Sequence, residues 1–355
     1  MSMIRLRPVA QLLLISAVAW TTVSCVRRAG VKDRSPSAAT QGADGAGNVG
    51  PSGAEGSGPV LMTLVHAQQY PTVAPTPIAV DGANAYWIVQ ETRTIMKVAI
   101  DGGKPVALVT TEGFPRCLTA FSGYVYWADD ENVQRVSVTT GGVAVLAPSP
   151  GRPTGIAADS TGVYWVTWSN NTPSASGTVM KSPLNGGTAV TLASEQEDPT
   201  AIALDAHNVY WTNRGDRVRG HGTVMMVGKE GGPPRVLATE TVHASGVAVD
   251  GGSIYWTNEG DIRAMALAGG APKVVASSQS YPRITADASG VYWTNDNGTV
   301  IMAPNGAGAL VTLAAGQGHP TGIAVDGSRV YWVNSFEGEV MSMQKPVTLA
   351  RTTPP

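Results

Sequence analysis

Side chains that could carry catalysis or hold a metal ion are few in this sequence and lie far apart. The five histidines, at 66, 207, 221, 243 and 319, show no metal-ligand spacing and no HExxH pattern. The sequence has no GxSxG nucleophile elbow and no P-loop. Cys117 lies in "RCLTAF", with no histidine near it, and we expect it to be a buried structural thiol. These patterns favour a non-catalytic protein without a cofactor or metal ion.

The segment "RGDRVRGHG" at 214–222 is the strongest cluster of basic side chains. Its members Arg214, Arg217, Arg219 and His221 could hold an acidic partner, because a guanidinium contacts a carboxylate through two hydrogen bonds. The alternative is an exposed polar loop that Asp216 partly neutralises. Over the whole chain, 24 basic and 26 acidic side chains give a formal net charge of −2, which offers no field for attracting nucleic acid.

A repeat organises the chain around these residues. The dipeptide Tyr-Trp occurs seven times, and the spacings between successive tyrosines are 40, 38, 46, 45, 37 and 39 residues. Each unit contains a small apolar strand, a turn, the Tyr-Trp strand, a Val-Met type strand, a glycine-rich turn and a final apolar strand, as in "HPTGIAVDGSRVYWVN" and "GTVMKSPLNGGTAVTLA". This pattern predicts four strands per unit.

The turns support this interpretation. Asp stands five residues before Tyr in six units, at Asp81, Asp159, Asp205, Asp250, Asp287 and Asp326, where its carboxylate can accept the turn amides. Glycine pairs such as "DGG" at 101–103 precede the fourth strand and predict two-residue hairpins with positive φ. The aromatic strands are apolar on both faces, so each sheet needs a neighbour on each side. We therefore predict an all-β fold, a seven-bladed β-propeller of four-stranded antiparallel blades over residues 59–351.

Closure of the ring has two solutions in the sequence. The last unit lacks a glycine pair and ends in "QKPVTLA", which could form its own outer strand. The segment "PVLMTLVHA" at 59–67 also reads as an outer strand without a preceding blade. Pairing of that segment with the last blade would protect an exposed edge better.

Two long insertions point to one face of the propeller. The distance from Trp to the third strand is 14 residues in the third unit and 13 in the fourth, against 6 to 8 elsewhere. The insertions, at 168–177 and 214–222, lie on the same side as the blade-to-blade connections and would form a binding rim that includes Trp168 and Asn170.

Varied side chains recur where each first strand begins. Those just before the "PT" or its equivalent are Phe114, Arg152, Asp198, His243, Tyr281 and His319. Those just after it are Arg116, Thr154, Thr200, Ser245, Arg283 and Thr321. They would surround the mouth of the central channel, either as a ligand site or as solvated loops.

The motifs "YWTN" and "YWAD" resemble the YWTD repeats of low-density-lipoprotein-receptor propellers, the class B type. The strand "PTGIAVD" is similar to NHL and gluconolactonase-type propellers. Receptor YWTD propellers have six blades, whereas this chain has seven units. The resemblance implies that the motif residues connect blades. Gluconolactonase-type propellers hold a divalent cation with channel carboxylates, but the strands here carry Ala and Gly at those places, so we expect no metal site.

The N-terminus predicts export. Arg5 and Arg7 precede a short apolar stretch, and "TTVSC" resembles a bacterial lipobox ending at Cys25. We expect residues 1–25 to be a signal peptide and Cys25 to be lipidated, with cleavage after Ala19 or no cleavage as alternatives. Residues 26–58, rich in Gly, Ala and Ser, are expected to be a disordered tether. The expected location is the outer membrane, facing the periplasm or the surface; otherwise the protein is periplasmic or secreted.

The expected function is a non-catalytic cell-envelope scaffold that binds a protein or another ligand through the loop face. The candidate ligand-binding residues are Arg152, Asp198, His243, Tyr281, His319, Trp168, Asn170, Arg214, Arg217, Arg219 and His221. The alternative is a propeller hydrolase or lyase that uses His243, His319 and Asp198 at the channel mouth.

Overall fold

The computed structural model describes residues 60–66, 77–169, 176–215, 222–241, 243–305 and 308–346. Within these ranges the chain forms 28 strands, β1 to β28, and no helix is long and apolar enough to cross a membrane. The strands form seven antiparallel sheets of four, which confirms the predicted seven-bladed propeller. The predicted signal peptide and tether lie outside the described residues.

Each of the first three blades is a meander of four consecutive strands. Blade 1 contains β2 (Ile78–Val80), β3 (Asn84–Val89), β4 (Thr94–Ala99) and β5 (Val106–Thr110). Blade 2 contains β6 (Cys117–Phe121), β7 (Tyr124–Ala128), β8 (Asn132–Ser137) and β9 (Val143–Pro148). Blade 3 contains β10 (Arg152–Asp159), β11 (Gly162–Ser169), β12 (Ser176–Ser182) and β13 (Val190–Glu197).

The next three blades repeat this order. Blade 4 contains β14 (Pro199–Leu204), β15 (Asn208–Asn213), β16 (Gly222–Gly228) and β17 (Arg235–Thr241). Blade 5 contains β18 (Val247–Val249), β19 (Ser253–Asn258), β20 (Asp261–Ala266) and β21 (Lys273–Ala276). Blade 6 contains β22 (Arg283–Asp287), β23 (Gly290–Asn295), β24 (Thr299–Pro304) and β25 (Val311–Ala314).

Blade 7 is built from both ends of the described chain. It contains β26 (Pro320–Val325), β27 (Arg329–Asn334), β28 (Glu339–Gln344) and β1 (Leu61–Val65). β1 pairs antiparallel with β28, with Leu61 opposite Met343. Leu64 and Val65 are each 3% exposed and pack at the junction of blades 7 and 1. The N-terminal strand therefore closes the ring, and the segment 347–350 lies outside the described residues.

The Tyr-Trp dipeptides fill the junctions between blades. All seven tryptophans of these dipeptides are at most 2% exposed. Trp211 packs in the cluster between blades 3 and 4, whereas its neighbour Tyr210 packs in the cluster between blades 4 and 5. Adjacent residues of a strand point to opposite faces, so each dipeptide contributes one large ring to each of its two junctions. Such a cluster lies at every junction of the ring.

The predicted turn role of aspartate is confirmed, and it includes a second contact. The Asp205 carboxylate accepts the backbone N–H groups of His207 and Asn208, both at 2.7 Å. It also accepts the hydroxyl of Tyr210 at 2.6 Å. The same Asp–Tyr bond occurs in blades 1, 5 and 7. In these four blades the hydroxyl of the tyrosine is thus bonded to a side chain rather than to the backbone.

The predicted two-residue hairpins at the glycine pairs are wrong, although the positive φ angles are present. Gly102 and Gly103 have φ of 91° and 128°, and the Gly102 N–H donates to the carbonyl of Ala99 at 2.9 Å. The fourth strand, however, begins only at Val106, which lies opposite Lys97. The last residues of β4 pair with β3 alone, so the connection is longer than a tight hairpin.

Candidate ligand-binding face

One end of the propeller carries the connections between blades and the hairpins between second and third strands. We call it the upper face, and its connections include residues 111–116, 243–246, 277–282 and 315–319. Each first strand begins there, because the four strands of a blade alternate in direction. The described ends of the two long insertions, at 168–169, 176–177, 214–215 and 222, also belong to this face. β11 reaches Ser169 and so carries Trp168 into it.

A cavity of about 960 Å³ lies at the centre of the upper face and is lined by all seven first strands. Each strand contributes one apolar side chain, at the position that pairs with the Trp of the same blade. We call these residues the apolar ring: Ile78, Leu118, Ile156, Ile202, Val247, Ile284 and Ile323. The ring lies deeper along the strands than the charged residues at their beginnings.

Four arginines and two acids also line this cavity: Arg116, Arg152, Arg214, Arg283, Glu91 and Asp198. Two of the arginines have acidic partners. Arg116 donates from Nε and Nη2 to the two carboxylate oxygens of Asp130, and these bonds lower the pKa of Asp130. Arg214 contacts the carboxylate of Asp198 at 3.4 Å, and its backbone N–H donates to the Asp198 carbonyl at 2.9 Å.

Arg283 differs from these two, because its guanidinium has no hydrogen-bond acceptor among the described residues. The side chain is half-buried. Burial lowers the pKa of Arg283, the nearby negative charge of Asp296 acts against this, and the positive charge of Arg214 adds to it. Arg283 therefore presents unused donors to the cavity in a setting that is unfavourable for a bare cation.

The pairing register of β22 determines the position of Arg283 in blade 6. The sequence aligns Arg283 with the threonines that follow "P" in other blades, but in blade 6 it lies directly opposite Thr294. Blades 3, 4 and 7 have a β-bulge at this point, whereas β22 has none. Arg283 thus occupies the pairing position that small residues hold in blades 3, 4 and 7, namely Gly155, Ala201 and Gly322. A Cβ at Gly155 would lie 3.3 Å from the Ile202 side chain, so this register faces the next blade.

The bulged threonines have a structural role. Thr154 donates its hydroxyl to the carbonyl of Pro199 at 2.7 Å, and Thr200 donates to the carbonyl of Ala244 at 2.9 Å. Each bond joins one first strand to the next blade. Thr321, in the same position of blade 7, has a buried hydroxyl without a partner among the described residues.

The structure brings some of the predicted site residues together. Arg152, Asp198, Trp168 and Arg214 all line the cavity. Arg152 lies opposite Trp168 in the β10–β11 pair, and the indole N–H of Trp168 is buried without an acceptor among the described residues. The predicted Asn170, Arg217, Arg219 and His221 lie outside the described residues.

His243, Tyr281 and His319 belong to the upper face but not to the lining of the cavity. All three have positive φ, between 45° and 57°, so the connections turn sharply there. Tyr281 is 77% exposed.

The ring of His319 is already occupied by neighbouring side chains. Its Nδ1 lies 2.9 Å from the hydroxyl of Ser335, and its Nε2 lies 3.6 Å from the carboxylate of Asp296. The ring also stacks on Phe336, with centroids 4.7 Å apart. The Ser335 hydroxyl donates to the His319 carbonyl at 3.0 Å. This arrangement fixes the connection between blades 6 and 7.

Sequence reasoning missed three glutamines that fix the upper face. The carbonyl oxygen of Gln279 accepts the indole N–H of Trp293 at 2.8 Å and the amide of Asn295 at 2.9 Å. Gln196 and Gln317 make the same pair of bonds in blades 4 and 7. The resemblance implied that motif residues connect blades, and the asparagines of these three blades do so through glutamine. In the sequence, these glutamines can be recognised by their position 14 or 15 residues before the Trp of the blade.

Cys117 lines the same cavity but is only 7% exposed, and burial raises the pKa of its thiol to about 12. This agrees with the structural role predicted for it. In the ranges that the structure describes, no group of three or more His, Cys, Asp or Glu side chains lies close enough to hold a metal ion.

No protein-family model and no curated protein matches this chain. Solved structures do. Virginiamycin B lyase from Staphylococcus aureus has a TM-score of 0.65 at 14% identity, covering 81% of this chain and 99% of its own. A streptogramin B lyase has a TM-score of 0.64 at 15% identity, covering 81% and 98%. A nidogen/laminin complex has a TM-score of 0.50 at 20% identity, covering 63% and 89%. At these identities the likeness concerns the fold alone: this chain is a β-propeller.

Proposed function

We propose that this protein is a non-catalytic scaffold of the cell envelope that binds a protein partner through the upper face of its propeller. The repeat is proposed to be of the YWTD type, with Asn in the last motif position of four units. The exported, lipid-anchored form is part of the proposal, with Cys25 as the lipidation site and residues 26–58 as the tether. The support for this part is the N-terminal sequence pattern.

The observation that carries the proposal is the placement of exposed aromatic side chains. Within the described ranges, three are exposed: Phe114 at 57%, Tyr281 at 77% and Phe336 at 69%. All three belong to the upper face, where the four cavity arginines also lie. Aromatic residues and arginine are enriched at the centres of protein interfaces. The other large exposed apolar residues are aliphatic and lie on or beside the outermost strands.

The structural neighbours are compatible with either class of function. Nidogen is present in a complex with laminin, and two other neighbours are lyases. A hydrolase or lyase using His243, His319 and Asp198 is less favoured by the geometry, because only Asp198 lines the cavity. His319 is engaged with Ser335. Fold-level analogy does not decide between them.

The test is capture of envelope proteins by three forms of the full chain. One variant replaces Phe114, Tyr281 and Phe336 by Ala. The matched control replaces Val106, Val190 and Val236 by Ala; these side chains are 45%, 47% and 53% exposed on outermost strands. We expect the partner recovered by the unmodified chain to be lost with the aromatic variant and kept with the valine variant. Equal recovery of every partner by all three forms would refute the proposed face.

Mass spectrometry of the mature N-terminus tests the anchor separately. The expected result is a lipid-modified Cys25 as the first residue. An unmodified Cys25 thiol would remove the anchor from the proposal and leave the binding face to be judged by capture alone.

A further inference from the structure

The central cavity combines a cation at its mouth with aliphatic side chains deeper along the strands. Its mouth carries Arg283, whose guanidinium donates to none of the described residues. Deeper along the strands lies the apolar ring. Its members Ile202, Ile284 and Ile323 are half-buried and offer apolar surface to the cavity, whereas the other four are at most 9% exposed and pack mainly in the blade junctions. A group that satisfies Arg283 must be an acceptor, and a carboxylate matches the guanidinium in geometry and charge. A group that displaces water from the apolar ring must be hydrocarbon.

We infer that the cavity at the centre of the upper face binds a carboxylate joined to an apolar group, with the carboxylate on Arg283 and the apolar part against the apolar ring. The inference names the ligand class for the proposed binding face, and so rests on the proposed function. Two sources share this chemistry: the C-terminus of a peptide that ends in an aliphatic residue, and a free aliphatic acid.

Of the four arginines at the mouth, Arg152 and Arg283 have no hydrogen-bonded acceptor among the described residues, and Arg152 is exposed to water whereas Arg283 is half-buried, which selects Arg283 as the anchor. Arg116 and Arg214 have acidic partners in Asp130 and Asp198. Asp296 is near enough to Arg283 to affect its pKa, but no hydrogen bond joins them, and its carboxylate lies 3.6 Å from His319. An incoming carboxylate therefore does not have to displace an existing hydrogen bond of Arg283.

Two further donors line the same cavity, one on β26, the first strand next to β22, and one on β11 of blade 3. The indole N–H of Trp168 and the hydroxyl of Thr321 are both buried without acceptors among the described residues, and both residues line the cavity. A buried donor without an acceptor is costly, so a ligand with several acceptor oxygens is favoured over an apolar one.

The pairing register of β22 holds Arg283 in a position suited to binding a carboxylate. An arginine at a position that is glycine or alanine in blades 3, 4 and 7 is held between neighbouring first strands. Its backbone is fixed on both sides, by pairing with β23 and by packing of Ile284 against blade 5. A guanidinium held in this way loses less conformational entropy on binding than one on a loop.

The test uses isothermal titration calorimetry on the full chain with two matched probe pairs. The first pair is decanoate and decanamide. The second is the peptide acetyl-Ala-Ala-Leu with a free C-terminus and the same peptide as its C-terminal amide. We expect at least one acid to bind the unmodified chain roughly ten- to hundredfold more tightly than its amide, as charge-assisted hydrogen bonds to arginine would give.

The variant Arg283→Gln should remove this preference, because it keeps hydrogen-bonding atoms but loses the charge and the planar fork. Arg283→Lys should keep part of it. The control Arg235→Gln removes an exposed arginine on β17 and should leave the preference unchanged. Preference for decanoate alone indicates an aliphatic acid, and preference for the peptide acid alone indicates a chain terminus.

The inference is overturned if neither acid binds more tightly than its amide, or if Arg283→Gln keeps the preference. The comparison of acid with amide on the unmodified chain needs no variant, so misfolding of one variant does not leave the question open. Failure here, with partner capture still dependent on the three exposed aromatics, would remove the ligand class and leave the proposed function standing.

Discussion

The buried Lys229 at the junction of blades 3 and 4 gives a sharp test of how blades are joined. Its side chain is 4% exposed and forms an ion pair with Asp159 of the preceding blade. Its ammonium also donates to the backbone carbonyl of Asp205 and lies 5.9 Å from the ring centre of Tyr164. Lys229→Met keeps the alkyl stem but removes every polar contact. The Asp159 carboxylate then keeps only its bonds from Thr161.

The expected loss of unfolding free energy follows from the burial of the ion pair. Removing one partner of a fully buried ion pair costs about 3–5 kcal/mol. Asp159 is 26% exposed, so water can partly replace the ammonium and the cost should be smaller, about 2–3 kcal/mol. The double variant Lys229→Met with Asp159→Asn should lose less than the sum of the single variants, because no uncompensated carboxylate remains. A coupling of about 1–2 kcal/mol is expected for groups in direct contact.

The ion pair also predicts a pH dependence. Burial alone would raise the pKa of Asp159, but the hydrogen bonds from Lys229 and Thr161 outweigh it, and the pKa lies below the ordinary value of 3.8. A carboxyl group with a lower pKa in the folded state stabilises the fold above its unfolded pKa. This contribution is therefore complete above about pH 5 and is lost as the pH falls through the folded-state pKa. Lys229→Met should show a weaker loss of stability in that acid range.

Chemical denaturation followed by tryptophan fluorescence measures these changes, since each junction holds a buried Trp. The control is Lys273→Met, which changes an exposed lysine on β21. Lys345→Met provides a second test, because Lys345 pairs with Asp287 across blades 6 and 7 in the same way. If Lys229→Met is as stable as Lys273→Met, or if the double-variant effect is additive, the reasoning about this pair is wrong.

Two further predictions concern other buried groups. Gln279→Ala leaves the indole N–H of Trp293 and the amide of Asn295 without their acceptor. At roughly 1–3 kcal/mol per buried donor, we expect a loss of about 2–4 kcal/mol in unfolding free energy. An unchanged denaturation midpoint would contradict this. Because burial raises the pKa of Cys117 to about 12, the native protein should react with iodoacetamide at pH 8 far more slowly than the unfolded protein, and mass spectrometry would reveal equal rates if the thiol were accessible.

The sequence alone determined the architecture, because blade structure is local and periodic. The Tyr-Trp spacing gives seven units, and the aspartate five residues before Tyr indicates the turn between the first two strands. Tyr and Trp are adjacent in a strand, so their side chains point to opposite faces of the sheet and pack in different blade junctions. This alternation can be predicted without knowledge of distant residues. The long insertions in blades 3 and 4 likewise indicated the face to which Trp168 and Arg214 belong.

Tertiary structure decided the contacts that join distant parts of the chain. Pairing of β1 with β28 joins residues about 280 positions apart, and the sequence left two ways to close the ring. The place of Arg283 depends on a missing β-bulge, which only the pairing register reveals. Lys229 and Gln279 looked like ordinary polar residues, because their partners lie in neighbouring blades. Such groups are costly to bury unless each finds its partner, and only the packing of the blades supplies that partner.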